Sequence, residues 1–165
     1  MKRTQATREI AVQILFALYV YALFKIILFK FSSINFIFLW DQLQRSPQNL
    51  DRAMQWGNFI PLATISNTFD NLTSHTLLNV GGNIALFLPY GMFLMLQSGG
   101  QRISLLYVLI RSLGLSLLLE CAQAILSIGT FDVDDLILNT LGGVIGYSML
   151  LLFAHKKKVQ PAKES

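Results

Sequence analysis

"FDVDDLILNTLGGVIGY", Phe131 to Tyr147, decides what kind of fold this chain can have. Three aspartates, Asp132, Asp134 and Asp135, stand directly against an apolar run that carries Asn139 and the glycines Gly142, Gly143 and Gly146. Acids at the mouth of a segment suited to oil mark the edge of a membrane span. The run continues to Phe153, close to the roughly 20 residues that cross a hydrocarbon layer of about 30 Å.

The rest of the chain repeats that pattern. Hydrophobic residues make up 53% of the 165 positions and charged residues only 13%, which is too apolar for a soluble domain of this size. Further long runs cover Ile10 to Phe31, Leu77 to Leu96 and Ile103 to Ile128. The expected architecture is therefore an all-α integral membrane protein of four transmembrane helices, over 10–31, 77–96, 103–128 and 136–153, forming one domain over 1–165 with a basic tail over 154–165. Lys2, Arg3 and Arg8 also resemble the start of a cleaved leader, but the apolar stretch behind them exceeds the usual 7 to 15 residues and no small-residue cleavage site follows. Pro89 inside the second run predicts a kink near Ala85 or Leu86.

The connection over 32–76 is too long for a passive loop in so small a protein. In "INFIFLWDQLQR", Phe36, Trp40 and Leu43 recur at helical spacing beside Asp41 and Arg45, which predicts a short helix lying in the membrane interface. "WGNFIPLATI" reads as a turn or re-entrant piece anchored by Trp56. The expected first loop is thus partly helical, interfacial or re-entrant.

Basic residues set the orientation. Lys2, Arg3, Arg8, Arg102, Lys156, Lys157, Lys158 and Lys163 all fall on one side of a four-span arrangement, and the positive-inside rule makes that side the cytoplasm. Both termini are then cytoplasmic in a multi-pass protein of the cytoplasmic membrane, with the long loop and the acidic turn on the outer face. The net charge of +4 is read as a topology signal. Its residues flank spans and offer no face to nucleic acid.

With topology drawn, the polar residues inside the spans gather toward the outer side. Asn79 and Asn83 open the second span, Asp135 and Asn139 open the fourth, and Glu120 with Gln123 lies about 12 Å below the outer end of the third. Ser112, Ser116, Glu120, Gln123 and Ser127 form one polar stripe, which must face protein or water because an acid exposed to hydrocarbon is costly. Asp135, Asn139, Gly142 and Gly146 line up on the fourth helix, where Gly142-x-x-x-Gly146 permits close backbone approach. The two stripes are expected to meet. Lys25 reaches a similar depth and is the expected countercharge of Glu120. Arg111 points toward the inner side and is expected to snorkel. Cys121 reads as a small buried apolar residue without a disulfide partner, and the two histidines, His75 and His155, lie too far apart to share a metal.

"NFIPLATI", "NVGGNIALFLPYG", "LLLECAQ" and "FDVDDLILNTLGGVIGY", in this order, resemble the VanZ-like family of small bacterial membrane proteins over roughly Asn58 to Tyr147. Asn58, Ile60 and Pro61 match the first motif; Asn79, Asn83, Phe87, Pro89 and Gly91 the second; Glu120 and Gln123 the third; Asp132, Asp135, Asn139, Gly142 and Gly146 the last. Many members carry an arginine just before the aspartate turn, where this chain reads Ser127-Ile128-Gly129-Thr130. The resemblance implies a role in the cell envelope and a link to resistance against teicoplanin, a lipid-tailed glycopeptide.

Two expectations of function follow. In the first, Asn58, Asn79, Asn83, Glu120, Gln123, Asp132, Asp135, Asn139 and Lys25 line an outer-leaflet pocket that binds an amphiphile: a membrane lipid, a lipid-linked envelope precursor or a lipoglycopeptide. No cofactor or metal is called for. In the alternative, the chain is a membrane enzyme acting on a lipid-borne substrate, with Glu120 as acid or base and a divalent cation on the Asp132–Asp135 turn. Asp134 or Asp135 as a helix N-cap explains the same turn without a cation, and no histidine or reactive cysteine stands near the expected pocket.

Overall fold

The computed structural model describes residues 2–29 and 33–159, with side chains described for 5–29, 33–74 and 76–155. Lys30 and Phe31 at the end of the first run, and Lys163 in the tail, lie outside the described residues. The described chain is helical throughout: α1 (Lys2–Phe29), α2 (Phe36–Gln44), α3 (Ser46–Trp56), α4 (Ala63–Asp70), α5 (Ser74–Gln97), α6 (Leu105–Ile125) and α7 (Val133–Val159). Four of these, α1, α5, α6 and α7, are long and apolar enough to cross a membrane.

α7 is the centre of the bundle. It packs chiefly on α5 and then on α6, while α1 leans on α5 and α6 from outside. A third of the α7 span is buried (33%) against 11% of the α1 span, so α1 faces mostly lipid. The tight α5–α7 seam comes from glycine. A side chain on Gly142 or Gly146 would strike the backbone of Ile84 or Leu88, and one on Gly91 would strike Gly143. The helices therefore meet backbone to backbone, as the Gly142-x-x-x-Gly146 spacing predicts.

Around that seam lies an apolar core that includes Leu23, Phe87, Tyr90, Leu94, Met95, Val108, Leu119 and Tyr147. Tyrosine hydroxyls in and beside it bond to backbone elsewhere in the bundle. The Tyr147 hydroxyl donates to Ile103 O at 2.6 Å and the Tyr19 hydroxyl to Leu86 O at 2.6 Å. α5 runs as one helix through Pro89. Proline has no N–H for Ala85 O, and Tyr19 engages the very next carbonyl, within the region where the kink was expected.

Several boundaries differ from the hydropathy reading. α6 stops at Ile125, three residues before the apolar run ends, because Ser127 takes a left-handed conformation with φ of 51°. α7 begins at Val133 and continues to Val159, so the segment 154–159 of the expected basic tail continues the last span as helix. Lysines are good helix formers, and cations complement the carbonyl end of a helix. α5 begins earlier than its apolar run, at Ser74, behind a capping box in which Thr73 and Thr76 each satisfy the other's backbone.

The first loop folds into a platform. α2 follows the predicted interfacial helix and is N-capped by the Asn35 side chain. α3 and α4, which hydropathy did not delimit, continue it, and the turn Gly57 to Leu62 separates them. Phe36, Ile37, Trp40, Met54, Trp56, Ile60 and Phe69 are all exposed. Water would penalise so large an apolar surface, whereas the membrane interface accommodates it.

Candidate functional site

Where the platform meets the bundle, the ends of α1 and α6 and the starts of α4 and α7 come together, and a helix end leaves backbone groups unpaired. In a place shielded from water each such group is costly unless something bonds it. The polar residues read from the sequence supply those bonds, in most cases from a different helix.

Glu120, buried in α6, accepts the N–H of Asp132 at 3.0 Å through Oε2. Asp132 is the N-cap of α7, and its Oδ1 accepts the N–H of Asp134 at 2.8 Å. This is the logic of a capping box with its glutamate lent by a neighbouring helix. Asp134 then caps a third helix: its fully buried carboxylate accepts the N–H of Leu62, and that of Ile65 at 3.0 Å, at the start of α4. Leu62 stands at the N-cap position there with no side-chain acceptor and with φ of 69°, so the acceptor has to come from elsewhere. Both carboxylates sit where helix dipoles favour negative charge.

The carbonyl ends are treated in the same way. At the end of α6, the carbonyls of Ala122, Gln123 and Ala124 take the N–H groups of Leu126, Ile128 and Ser127. Ile125 O remains, and the buried Asn49 of α3 donates to it at 2.9 Å. Gln123 Nε2 donates to Ile27 O, in the last turn of α1, at 3.2 Å.

Around these caps the acidic turn is stitched to the Gly57–Leu62 turn. Asn58 N–H donates to Phe131 O at 2.8 Å and Val133 N–H to Asn58 O at 2.9 Å, an isolated parallel bridge. Asn58 Nδ2 donates to Asp132 Oδ1 at 2.8 Å, and the Thr64 hydroxyl to Asp132 Oδ2 at 2.9 Å. Phe59 and Phe131 stack above with ring centroids 5.3 Å apart. Asp135 faces the other way, toward α5, where Asn83 Nδ2 donates to it. Deeper in the bundle, Asn139 Nδ2 donates to Ser116 Oγ at 2.9 Å, so the stripes of α6 and α7 do meet.

The nine residues picked from sequence thus divide. Asn58, Glu120, Asp132, Asp135, Asn83, Asn139 and Gln123 belong to this junction or its immediate support. Asn79 does not: it is exposed, because it sits one turn beyond Asn83, past the level at which α7 begins. Lys25 and Glu120 are each directed to another group. The Lys25 Nζ lies 5.7 Å from the Phe29 ring centroid, while the Glu120 carboxylate is turned toward the α7 N-terminus. Cys121 is exposed rather than buried, since it is one residue, about 100°, round α6 from Glu120. Ser127 leaves the polar stripe with the left-handed turn, and Arg52 Nη1 donates to its hydroxyl at 3.2 Å. Arg111 lies over the Tyr107 ring, one turn nearer the Arg102 end, the direction that snorkelling requires.

Sequence reasoning missed Asn49, Thr64 and the role of Asp134. For Asn49 no signal existed, because its partner Ile125 lies 76 residues away. Thr64 fell inside a recognised motif without a chemical reason to single it out. Asp134 was weighed as a cap for its own helix, and it caps α4 instead. The acidic residues of the turn face different partners, and among the described residues no three histidine, cysteine or acidic side chains stand together to hold a metal ion.

The VanZ/LLP1 family model matches residues 14–154. The chain belongs to the VanZ/LLP1 family. Among its relatives, Protein VanZ of Enterococcus faecium is 31% identical over 135 residues, which cover 82% of this chain and 70% of that one. No solved structure matches the chain. The family match reaches well beyond the motifs over Asn58 to Tyr147: it takes in most of α1, the platform and α7 as far as Ala154. Every residue of the capped junction lies inside the VanZ/LLP1 region.

Proposed function

We propose that this VanZ-type envelope protein binds an amphiphile at the membrane interface, beneath the platform, without carrying out chemistry on it. The observation that carries this reading is the pair of clefts left between platform and bundle. One, of about 350 Å³, lies between α1, α2 and the segment after α6, lined by Leu28, Phe29, Phe38 and Ile128. The other, of about 380 Å³, lies between α3 and the end of α6. Both are mostly apolar with a few polar groups, the usual make-up of a ligand site, and both fall in the usual size range. The capped junction has a supporting role here. Asn58, Asn83, Glu120, Asp132, Asp135 and Asn139 hold the platform over the bundle, and in doing so keep the clefts open.

A catalytic reading would need Glu120 or the aspartates free to move protons or bind a cation, and their hydrogen bonds to helix ends argue against it. Native mass spectrometry tests the binding reading. Protein released in mild detergent should retain one amphiphile per chain. Protein carrying none, or a mixture matching the bulk lipid, would overturn it.

The platform belongs on the outer face of the cytoplasmic membrane in this reading, because the basic residues cluster at the opposite end of the spans. An alkaline phosphatase fusion after His155 should be inactive and a green fluorescent protein fusion bright. The reverse result would put the clefts on the cytoplasmic leaflet.

A further inference from the structure

The α3–α6 cleft has a chemical character that its neighbour lacks. Arg52, Trp56, Ser127 and Thr130 line it, with Asn49, Ala53, Ala124 and Gly129 behind them. Arg52 brings a cation, Ser127 and Thr130 bring hydroxyls, and Trp56 brings a ring of the kind that gathers at headgroup level. No carboxylate lines this cleft. The nearest acids in the junction are committed elsewhere, Asp132 to Asn58 and Thr64 and Asp134 to the start of α4. Arg52 is exposed, and among the described residues its side chain makes one hydrogen bond, to Ser127 Oγ at 3.2 Å, out of the five N–H donors of a guanidinium.

The position of the cleft matters as much as its lining. It opens where α6 ends, at Ile125, and α6 is long and apolar enough to cross a membrane, so its end is the level at which a headgroup is expected. Below it Leu117 and Cys121, four residues apart on one face of α6, are exposed, while Ala124 above them is buried and lines the cleft itself. A charged, hydroxyl-lined cleft above an apolar track matches an acyl-chain amphiphile whose head carries negative charge. Guanidinium forks pair with phosphate oxygens in two-point fashion.

We infer that the α3–α6 cleft holds the anionic phosphodiester headgroup of a lipid from the platform-side leaflet, with Arg52 as its charge partner and the lipid's chain lying along α6. This deepens the proposed function and rests on it: the class of amphiphile is an anionic phospholipid, and the site is this one cleft.

The chain contains two tryptophans, so Trp40→Phe leaves Trp56, in the cleft wall, as the reporter. The full chain with that change is placed in phosphatidylcholine nanodiscs containing about one lipid in ten with brominated chains. Bromine quenches a nearby indole. Brominated phosphatidylglycerol should occupy the site about fivefold more than the same fraction of brominated phosphatidylcholine, which corresponds to about 1 kcal/mol for one arginine at the surface. Arg52→Gln should make the two lipids equal. Arg52→Lys should keep a smaller preference, and Arg45→Gln, outside the cleft, should leave it unchanged. A matched unfolding midpoint for Arg52→Gln excludes loss of the platform as the cause. Equal quenching by both lipids in the parent would overturn the headgroup assignment while leaving an amphiphile beneath the platform. No quenching by either would overturn this inference, and native mass spectrometry decides separately whether an amphiphile occupies the α1–α2 cleft. Reversal by millimolar inorganic phosphate would show a site for free anions and overturn the lipid assignment.

Discussion

Gly146→Ala is expected to destabilise this protein more than its single added methyl suggests, by about 3 kcal/mol, at the upper end of the usual cost of overpacking. The methyl would be driven into the carbonyl group of Leu88 on α5, and backbone cannot step aside as a side-chain tip can. α5 and α7 would have to part along the seam that centres the bundle. Gly91→Ala meets the same obstacle from the other side, at Gly143. Two controls share the chemistry without the obstacle: Gly81 and Gly114 look onto open space. Alanine at either should be neutral, or stabilising by up to about 1 kcal/mol through helix propensity. Unfolding midpoints in one detergent would rank the four variants. Equal midpoints for Gly146→Ala and Gly114→Ala would mean that the α5–α7 seam is not the tight one.

Asp134→Ala should be the most damaging change in the acidic turn, costing about 3 kcal/mol, because it strips the acceptor from two N–H groups at once in a buried place. Its carboxylate holds Leu62 and Ile65 at the start of α4, and nothing in the local sequence replaces it there. Asp134→Asn keeps an oxygen but loses the charge, and about half of the loss should return. Asp135→Ala should cost about 1 kcal/mol, since that side chain is only half-buried and its partner Asn83 stands on a spanning helix. Unfolding midpoints order the three, and limited proteolysis between Gly57 and Asn71 reads the release of α4 directly. Proteolysis in Asp135→Ala as fast as in Asp134→Ala would remove the special role of Asp134.

Both expectations combine what is local in the sequence with what is not. The four spans, the interfacial α2 and the close approach at Gly142-x-x-x-Gly146 were legible in advance, because hydropathy, helical period and residue size are properties of short segments. That the stripe through Ser112, Ser116 and Glu120 turns inward was legible too, since lipid would not accept it. The partners were not. The sequence placed three aspartates at the mouth of an oily segment, and only the tertiary structure decided that Asp132 caps α7, Asp134 caps α4 and Asp135 faces α5. The same holds for Glu120, whose depth suggested Lys25 and whose rotation on α6 delivers it to the Asp132 N–H instead. Asn79 and Cys121 lay at plausible depths yet face outward. Depth follows from counting residues along one helix. Which neighbour a side chain meets depends on how separate helices are rotated and where each one ends, and the bonds that settle it join residues as far apart as Ile27 and Gln123, 96 positions along the chain.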